Sequence, residues 1–523
     1  MKLPKVSKPL LHFISIRAVM ALLLFLTLAA WSMGSAVGSS PDEGYILNSI
    51  WCADMPLRKG LDGLPQPAPP TETSPPVFSK GETCRLNPVK PGSVWLPSRV
   101  VEANCSKNSE FVSAECQKTL TDDLVSTDQV NSGLYPEPYL TVMHFTVGRD
   151  IFKSVIYMRL LNSLIASVLI IFALSLNKKT FTDLTFTFLS AIVPVGISLI
   201  SSVNTSSWAI TGSTIFVLSL LAVNHKYLKS RHNMICLFSA LVGFWIANAS
   251  RFETRYLLLL VIIIFVIYKF SDYFLLIQIQ KKIFILAIMS LIVVTLLSSL
   301  SVNWVFAVDA FGYQNKDPIV LLLLNLLNLP LFITGFFGSW GLNSFDVLLL
   351  QTVWLFATTS FLLIICYSLK HSKKQNQIIG LTLITIFCAA ILISLQKFSV
   401  EIRDMVQPRY FFPLLIGASL LVTANKQSKF SNSLMISAGL LTTTANAIAL
   451  RTVIRKYVSG PSVKITQSLN SPRDWWWTDK DSGTTLWAPA PETVWLIGSL
   501  AFAMLFVVII YERKHESAET ASI

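Results

Sequence analysis

The chain has 523 residues, of which 53% are hydrophobic and only 14% charged, where a soluble domain carries about 25% charged residues. With a mean hydropathy of +0.58, these values exclude an ordinary soluble enzyme, a disordered chain and a fibrous one. The net charge of +13 is spread over short Lys/Arg clusters between apolar runs. That pattern excludes the single basic face of a nucleic-acid binder and matches a polytopic membrane protein oriented by the positive-inside rule.

About 20 apolar residues are needed for a helix to cross a bilayer. The first such run lies near 13–34, behind Lys2, Lys5 and Lys8, so the N-terminus is expected in the cytoplasm. A cleaved signal peptide is the competing reading, since Gly34, Ser35 and Ala36 follow. A polar segment, 38–152, comes next and is expected outside. Runs near 154–176, 181–203, 207–224, 233–250, 256–272 and 283–305 then alternate, with Lys178, Lys179, Lys226, Lys229, Lys281 and Lys282 on the inner side. The stretch 319–337 is broken by Asn325, Asn328 and Pro330, and counting it as a span would put Lys370, Lys373 and Lys374 outside. It is therefore expected to be re-entrant or interfacial on the outer face. Runs near 346–366, 378–396, 410–425, 432–450 and 493–511 complete the chain. The expectation is an all-α protein of about twelve transmembrane helices with both termini cytoplasmic. Its parts are a tail and first span (1–37), an extracytoplasmic loop (38–152), a multi-span core (153–450), a Trp-rich outer loop (451–491) and a last span with its tail (492–523). No internal repeat of the transporter kind is visible.

Four of the seven cysteines, Cys52, Cys84, Cys105 and Cys116, lie in the first outer segment. They predict two disulfides, with three pairings open. Zinc is the weaker alternative, because no C-x-x-C pair occurs. Pro65 to Pro76 reads as an extended linker.

Candidate chemistry gathers at the expected outer face. Asp42 and Glu43 sit in Ser39-Ser40-Pro41-Asp42-Glu43-Gly44-Tyr45, where a carboxylate can accept a proton or hold a divalent cation. An ordinary solvated acid pair is the plain alternative. Tyr135 and Tyr139, in Gly133-Leu134-Tyr135-Pro136-Glu137-Pro138-Tyr139, read either as interface anchors or as an aromatic wall for a sugar or lipid. His144 follows them. Arg251, Arg255, Arg403, Arg409, Arg451, Arg455 and Lys456 lie against the positive-inside bias. Such cations bind phosphate or simply pair with Glu253, Glu401 and Asp404. Arg159 and Asp346 are charges within apolar runs, and Arg159 lies near enough to the interface to snorkel. Trp475, Trp476 and Trp477 either stack on sugar rings or dock among lipid headgroups. No Walker A loop, H-E-x-x-H or G-x-S-x-G occurs at a plausible site, against an ATP-driven pump, a zincin and an α/β-hydrolase.

The S-P-D-E after the first span, Y-P-E-P-Y (135–139), M-R-L-L-N-S (158–163), S-V-N-T-S-S-W (202–208), L-P-L-F-I-T-G-F-F-G-S-W-G (329–341) and Q-P-R-Y-F-F-P-L (407–414) occur in this order. Together they resemble the bacterial predicted-membrane-protein family of unknown function number 2142, over about 40–425. That family looks like a branch of the GT-C integral-membrane glycosyltransferases, which use a polyprenyl-phosphate-linked sugar and keep an acid in the first outer loop. The resemblance implies Asp42 as catalytic base or metal-side acid with Glu43 beside it, and Arg409 as a candidate for the lipid phosphate. From the residues themselves, substrate contacts are expected from Tyr45, Tyr135, Tyr139, Arg159, Asn204, Tyr410 and Trp476 beside Arg409. Asp42 is the one position that suggests a divalent cation, Mg or Mn. The family's Pro-Ala-His after the acids is replaced by Gly44-Tyr45-Ile46, so the histidine of a metal site is missing. The expected partners are membrane lipid, the lipid-linked donor and a glycan or lipid acceptor of the cell envelope. A lipid-linked glycan flippase and a non-catalytic envelope assembly protein are the competing functions. The few ionisable groups inside the spans argue against proton-coupled transport.

Overall fold

The computed structural model describes residues 8–54, 83–87, 89–90, 92–107, 112–131, 133–224, 230–269, 317–342, 347–372, 374–402, 404, 406–424, 426–460, 468–470 and 489–521. The expected span 283–305, the linker Pro65–Pro76, Arg403, Asp346 and the tryptophans Trp475, Trp476 and Trp477 lie outside these residues.

The chain is mostly helical. Helix α1 (Lys8–Gly34) leads to α2 (Glu43–Trp51), and the polar segment follows with β1 (Arg85–Leu86), β2 (Val94–Pro97), α3 (Ser98–Val101) and β3 (Leu124–Thr127). Helices α4 (Glu137–His144) and α5 (Ile151–Ser175) lead into α6 (Phe181–Ile192), α7 (Val195–Ile200), α8 (Thr205–Ala222), α9 (Arg231–Asn248) and α10 (Thr254–Lys269). After residue 316 come α11 (Pro318–Gly335), α12 (Gln351–Lys370), α13 (Lys374–Lys397), α14 (Phe412–Ala424), α15 (Asn432–Ser459) and α16 (Pro491–Ala521). Among the described residues, eight helices (α1, α5, α8, α11, α12, α13, α15 and α16) are long and apolar enough to cross a membrane, and two shorter apolar helices cover Phe181–Ile192 and Pro408–Ala424.

Several expectations need correction. The chain is not all helix: β1, β2 and β3 form a small antiparallel sheet, with Val94 opposite Thr127 and Leu96 opposite Val125. Val94 and Leu96 are buried and alternate with half-buried Trp95, the period of a strand with one face on a core. The span expected at 181–203 breaks into α6 and α7, because Pro194 has no N–H for the helix ladder and crowds the residue before it. The helix expected over 432–450 does not stop at 450. Helix α15 runs on to Ser459, and Gly460 follows at φ 72, a positive value that glycine adopts without strain. Arg451 there lies over the Trp495 ring, and buried Lys456 donates to the Val112 carbonyl. The 319–337 stretch forms one unbroken helix, α11, of 18 residues. At about 27 Å it is long enough to cross, so only charge parity argues for leaving it out of the span count.

Helix α1 packs on α5 and α16 and is integral to the bundle. Near its start, Arg17 pairs with Glu512 of α16 at 3.1 Å. Beside that pair, Asp183 of α6 accepts from Arg513 at 3.1 Å and from Lys426, and Arg513 also caps the Phe430 carbonyl at 2.5 Å. This charge cluster ties both terminal helices to α6 at one end of the bundle. Residue 42 lies at the other end of α1, about 26 Å away by helix rise alone.

Helices α8 and α9 cross with their backbones nearly in contact. A Cβ at Gly212 would stand 2.5 Å from the Ala247 nitrogen and the Gly243 carbonyl oxygen. Backbones approach this closely only where small residues face each other. Gly212→Val is therefore expected to destabilise the protein by about 1–3 kcal/mol or more, as overpacking does. Thermal unfolding in detergent checks this, and an unchanged midpoint would show that the crossing tolerates the bulk.

Candidate functional site

The turn after α1 sets the site. Gly38 has φ +74, and a Cβ there would lie 2.9 Å from the backbone of Ala103 and Asn104, so glycine lets the turn press on the polar segment that carries them. The Gln117 side-chain amide donates to the carbonyls of Val37 (2.7 Å) and Ala103 (2.6 Å), fixing the same contact. Ser40 N donates to Glu43 Oε2 at 3.0 Å, closing the turn ahead of α2, while the Ser40 hydroxyl reaches Ser202 at 3.0 Å. Asn204 donates to the Pro41 carbonyl and accepts from Ser206 N at 2.7 Å, capping α8 with the same side chain.

Glu43 and Arg159 are both fully buried. Arg159 Nη2 lies 2.9 Å from Glu43 Oε1 and 3.0 Å from Oε2, and Nε lies 3.2 Å from Oε1. The remaining donors go to the carbonyls of Ser32 (2.9 Å), Ser35 (2.5 Å) and Ala36 (2.7 Å). The last turn of a helix leaves carbonyls without partners, and here an arginine from α5 caps α1 while Glu43 neutralises it. Two corrections follow. Arg159 does not snorkel to the interface, because its partners lie inside the bundle. Glu43 is consumed by this pair and is not available to a substrate.

Asp42 is different. It caps α2 with φ 61, in the left-handed region, and its carboxylate makes no cap bond to that helix. Aspartate tolerates this conformation better than most residues. The neighbouring bonds hold it there, and its side chain keeps 35% of its exposure. Arg409 Nη2 donates to Asp42 Oδ2 at 2.9 Å and to the Tyr410 hydroxyl at 3.2 Å. Arg251 Nη2 lies 3.9 Å from the same Asp42 oxygen. The Arg251 guanidinium stands over the Tyr410 ring (4.9 Å) and the Tyr135 ring (5.6 Å), and its Nε donates to Thr205 at 3.1 Å. The Tyr135 hydroxyl donates to Asp42 at 3.4 Å, and its ring tilts against Tyr45 at 6.0 Å. Burial alone would push the Asp42 carboxyl up. Arg409, then Arg251 and Lys107, with the Tyr135 hydroxyl, outweigh it and hold the carboxyl below its ordinary 3.8. Asp42 is thus ionised at neutral pH. The stability it contributes is present above the unfolded carboxylate pKa and is lost as pH falls through the lower folded value.

Arg409 is placed by packing between two of the sequence landmarks. Phe332 meets Trp340 and Phe411 at ring distances of 5.5 and 5.8 Å, and Phe336 meets Phe412 at 5.2 Å. A Cβ at Gly335 would lie 2.6 Å from Pro408 Cγ, so this glycine is what lets Pro408, and Arg409 after it, come in. A cleft opens beside Asp42, lined by Pro41, Val195, Leu199, Trp340, Pro408 and Arg409 among others. Its walls are mainly apolar, and a guanidinium stands at its edge.

The structure thus brings together Asp42, Arg409, Tyr410, Tyr135 and Tyr45, with Asn204 supporting the turn. It does not bring Tyr139 to a surface: that ring is fully buried edge-on to Trp208, and its hydroxyl accepts from Asn162 at 3.2 Å. His144 contacts the Ile50 carbonyl (2.7 Å) and Asp54 (2.6 Å), bracing the end of α2. Cys52 pairs with Cys84 and Cys105 with Cys116, which selects one of the three open pairings. Trp476 lies outside the described residues. Arg251 is the residue that sequence reading undervalued. Its position against the positive-inside bias was the available signal, and the adjacent Glu253 made ordinary pairing look sufficient. Among the described residues no three His, Cys, Asp or Glu side chains group so as to hold a metal ion. The donor set at Asp42, one carboxylate between two guanidiniums, does not fit a divalent cation.

Such an assembly of apolar helices, a disulfide-bonded polar segment and an acid–arginine cluster defines a polytopic membrane protein. The chain belongs to the family described as Predicted membrane protein (DUF2142), whose profile matches residues 25–418. No curated protein and no solved structure matches it.

Proposed function

We propose that this protein is a GT-C-type glycosyltransferase of the cytoplasmic membrane, with both termini in the cytoplasm and the Asp42 end of the bundle outside. It moves a sugar from a polyprenyl-phosphate donor to a cell-envelope glycan or lipid. The observation that supports this best is the meeting of Asp42 with Arg409 and Arg251 beside a mainly apolar cleft. An acceptor hydroxyl gives its proton to the Asp42 carboxylate as its oxygen bonds to the anomeric carbon. The bond from that carbon to the donor phosphate breaks, and its electron pair leaves on the phosphate oxygen. Arg409 and Arg251 stabilise the charge that grows there. Apolar walls accommodate the first carbons of the lipid chain. No step runs through a metal ion.

The test supplies the purified protein with a radiolabelled polyprenyl-phosphate sugar and envelope acceptors. A new glycosidic bond is the expected product. Movement of the labelled lipid across a vesicle membrane with no new bond would establish transport instead. Envelope glycans compared with and without the protein identify the acceptor.

A further inference from the structure

We propose that Asp42 is a built-in counter-ion that occupies a phosphate-binding site until a phosphate anion displaces it from Arg409 and Arg251. The proposal rests on the transferase reading and deepens it, by assigning the resting ion pair a role of its own.

Three observations carry it. The first is an unmet donor. Arg409 Nε is buried and has no hydrogen-bond partner, although the guanidinium side chain is only 7% exposed and lines the cleft. Buried donors are almost always satisfied, so a vacancy of this kind marks a place where an acceptor belongs. The second is geometry. One carboxylate oxygen, Asp42 Oδ2, faces both guanidiniums, at 2.9 Å from Arg409 and at 3.9 Å from Arg251, the latter too far for a hydrogen bond. A single aspartate cannot satisfy two planar forks. A tetrahedral phosphate can: it keeps two terminal oxygens as the diester of a lipid-linked sugar and three as a monoester, one or more for each guanidinium, and arginine forks match such oxygens bidentately. The third is charge. Glu43 is consumed by Arg159, which leaves Asp42 and Glu253 against Arg251, Arg409 and Lys107, an excess of one positive charge.

Asp42 is also built to leave. Its side chain makes no cap bond to α2 and is the most exposed member of its ion pairs. When a phosphate takes both arginines, the carboxylate is released from their field and becomes a better proton acceptor. The site thereby arms its base only when a donor is present. The shared ligand chemistry is a phosphate group, either free or at the head of a lipid.

The experiment measures binding by calorimetry in maltoside micelles, with inorganic phosphate and decyl phosphate as probes. The proteins are wild type, Asp42→Asn, Arg409→Gln, Arg409→Lys and Arg251→Gln, each checked for native helix content by circular dichroism. Removing the competitor is expected to tighten phosphate binding to Asp42→Asn by about tenfold, the scale of one close charge pair. Arg409→Gln and Arg251→Gln are expected to weaken it by about tenfold or more, and Arg409→Lys to weaken it by less than Arg409→Gln, because lysine keeps the charge and loses the planar fork. A clear preference for decyl phosphate identifies a lipid headgroup as the source, and equal binding identifies free phosphate. Unchanged or weaker binding in folded Asp42→Asn overturns the proposal, even if sugar transfer is found. Tighter binding in a protein that makes no glycosidic bond leaves the counter-ion proposal standing and removes the transferase reading.

Discussion

Asp42→Asn should cut sugar transfer by about 100- to 10,000-fold, the usual contribution of a positioned general base, while the protein still folds and inserts. Asparagine is nearly isosteric with aspartate and tolerates the left-handed backbone at φ 61, so the turn and the cap of α2 are preserved. Only the charge and the proton-accepting oxygen are lost. The expected split is a fall in kcat with little or no rise in KM for the lipid donor, because the substitution removes a competitor for the arginines. Steady-state assays over a range of donor concentrations measure both quantities. Full activity in the variant would remove the proposed base. A large rise in KM with kcat intact would make Asp42 a binding group.

Arg159→Met is expected to have the largest effect on stability, about 3–5 kcal/mol, the cost of breaking a buried ion pair from one side. The substitution leaves the Glu43 carboxylate in the protein interior without its cation. It also removes the donors to the carbonyls of Ser32, Ser35 and Ala36 at the end of α1. Glu43→Gln should cost less, since an amide can still accept from the guanidinium. The double variant Arg159→Met/Glu43→Gln should recover part of the loss of Arg159→Met, because it no longer strands a charge. Denaturant unfolding in mixed micelles provides the comparison. If Arg159→Met alone were as stable as the wild type, the pair would not hold the turn that presents Asp42.

The sequence made the membrane class legible because a bilayer imposes a length and a polarity that composition cannot hide. The run 154–176 corresponds closely to α5, and 493–511 falls within the longer α16. Position against the positive-inside bias also singled out Arg409, and its neighbours in Q-P-R-Y-F-F-P explain its placement once Gly335 is seen against Pro408. Less legible was the division of labour between adjacent acids. Asp42 and Glu43 are neighbours in the chain, yet the start of α2 turns one toward Arg409 and the other toward Arg159. Which way each points depends on a left-handed backbone that no pattern of residue types announces. Tyr135 and Tyr139 part in the same way: four residues apart, one meets Asp42 and the other packs beneath on Trp208. The break at Pro194 was readable from proline chemistry but was masked by the apolar run on either side. At the far end, the Asp183 cluster escaped notice because its members are hundreds of residues apart and only the fold brings them together.

The most direct measurement is an experimental structure of the protein in lipid nanodiscs with a polyprenyl phosphate bound. The expected result places the phosphate within hydrogen-bond distance of both Arg409 and Arg251, with the Asp42 carboxylate turned away from them and the lipid chain entering the cleft by Trp340 and Pro408. A phosphate bound elsewhere, with Asp42 still paired to Arg409, would contradict it.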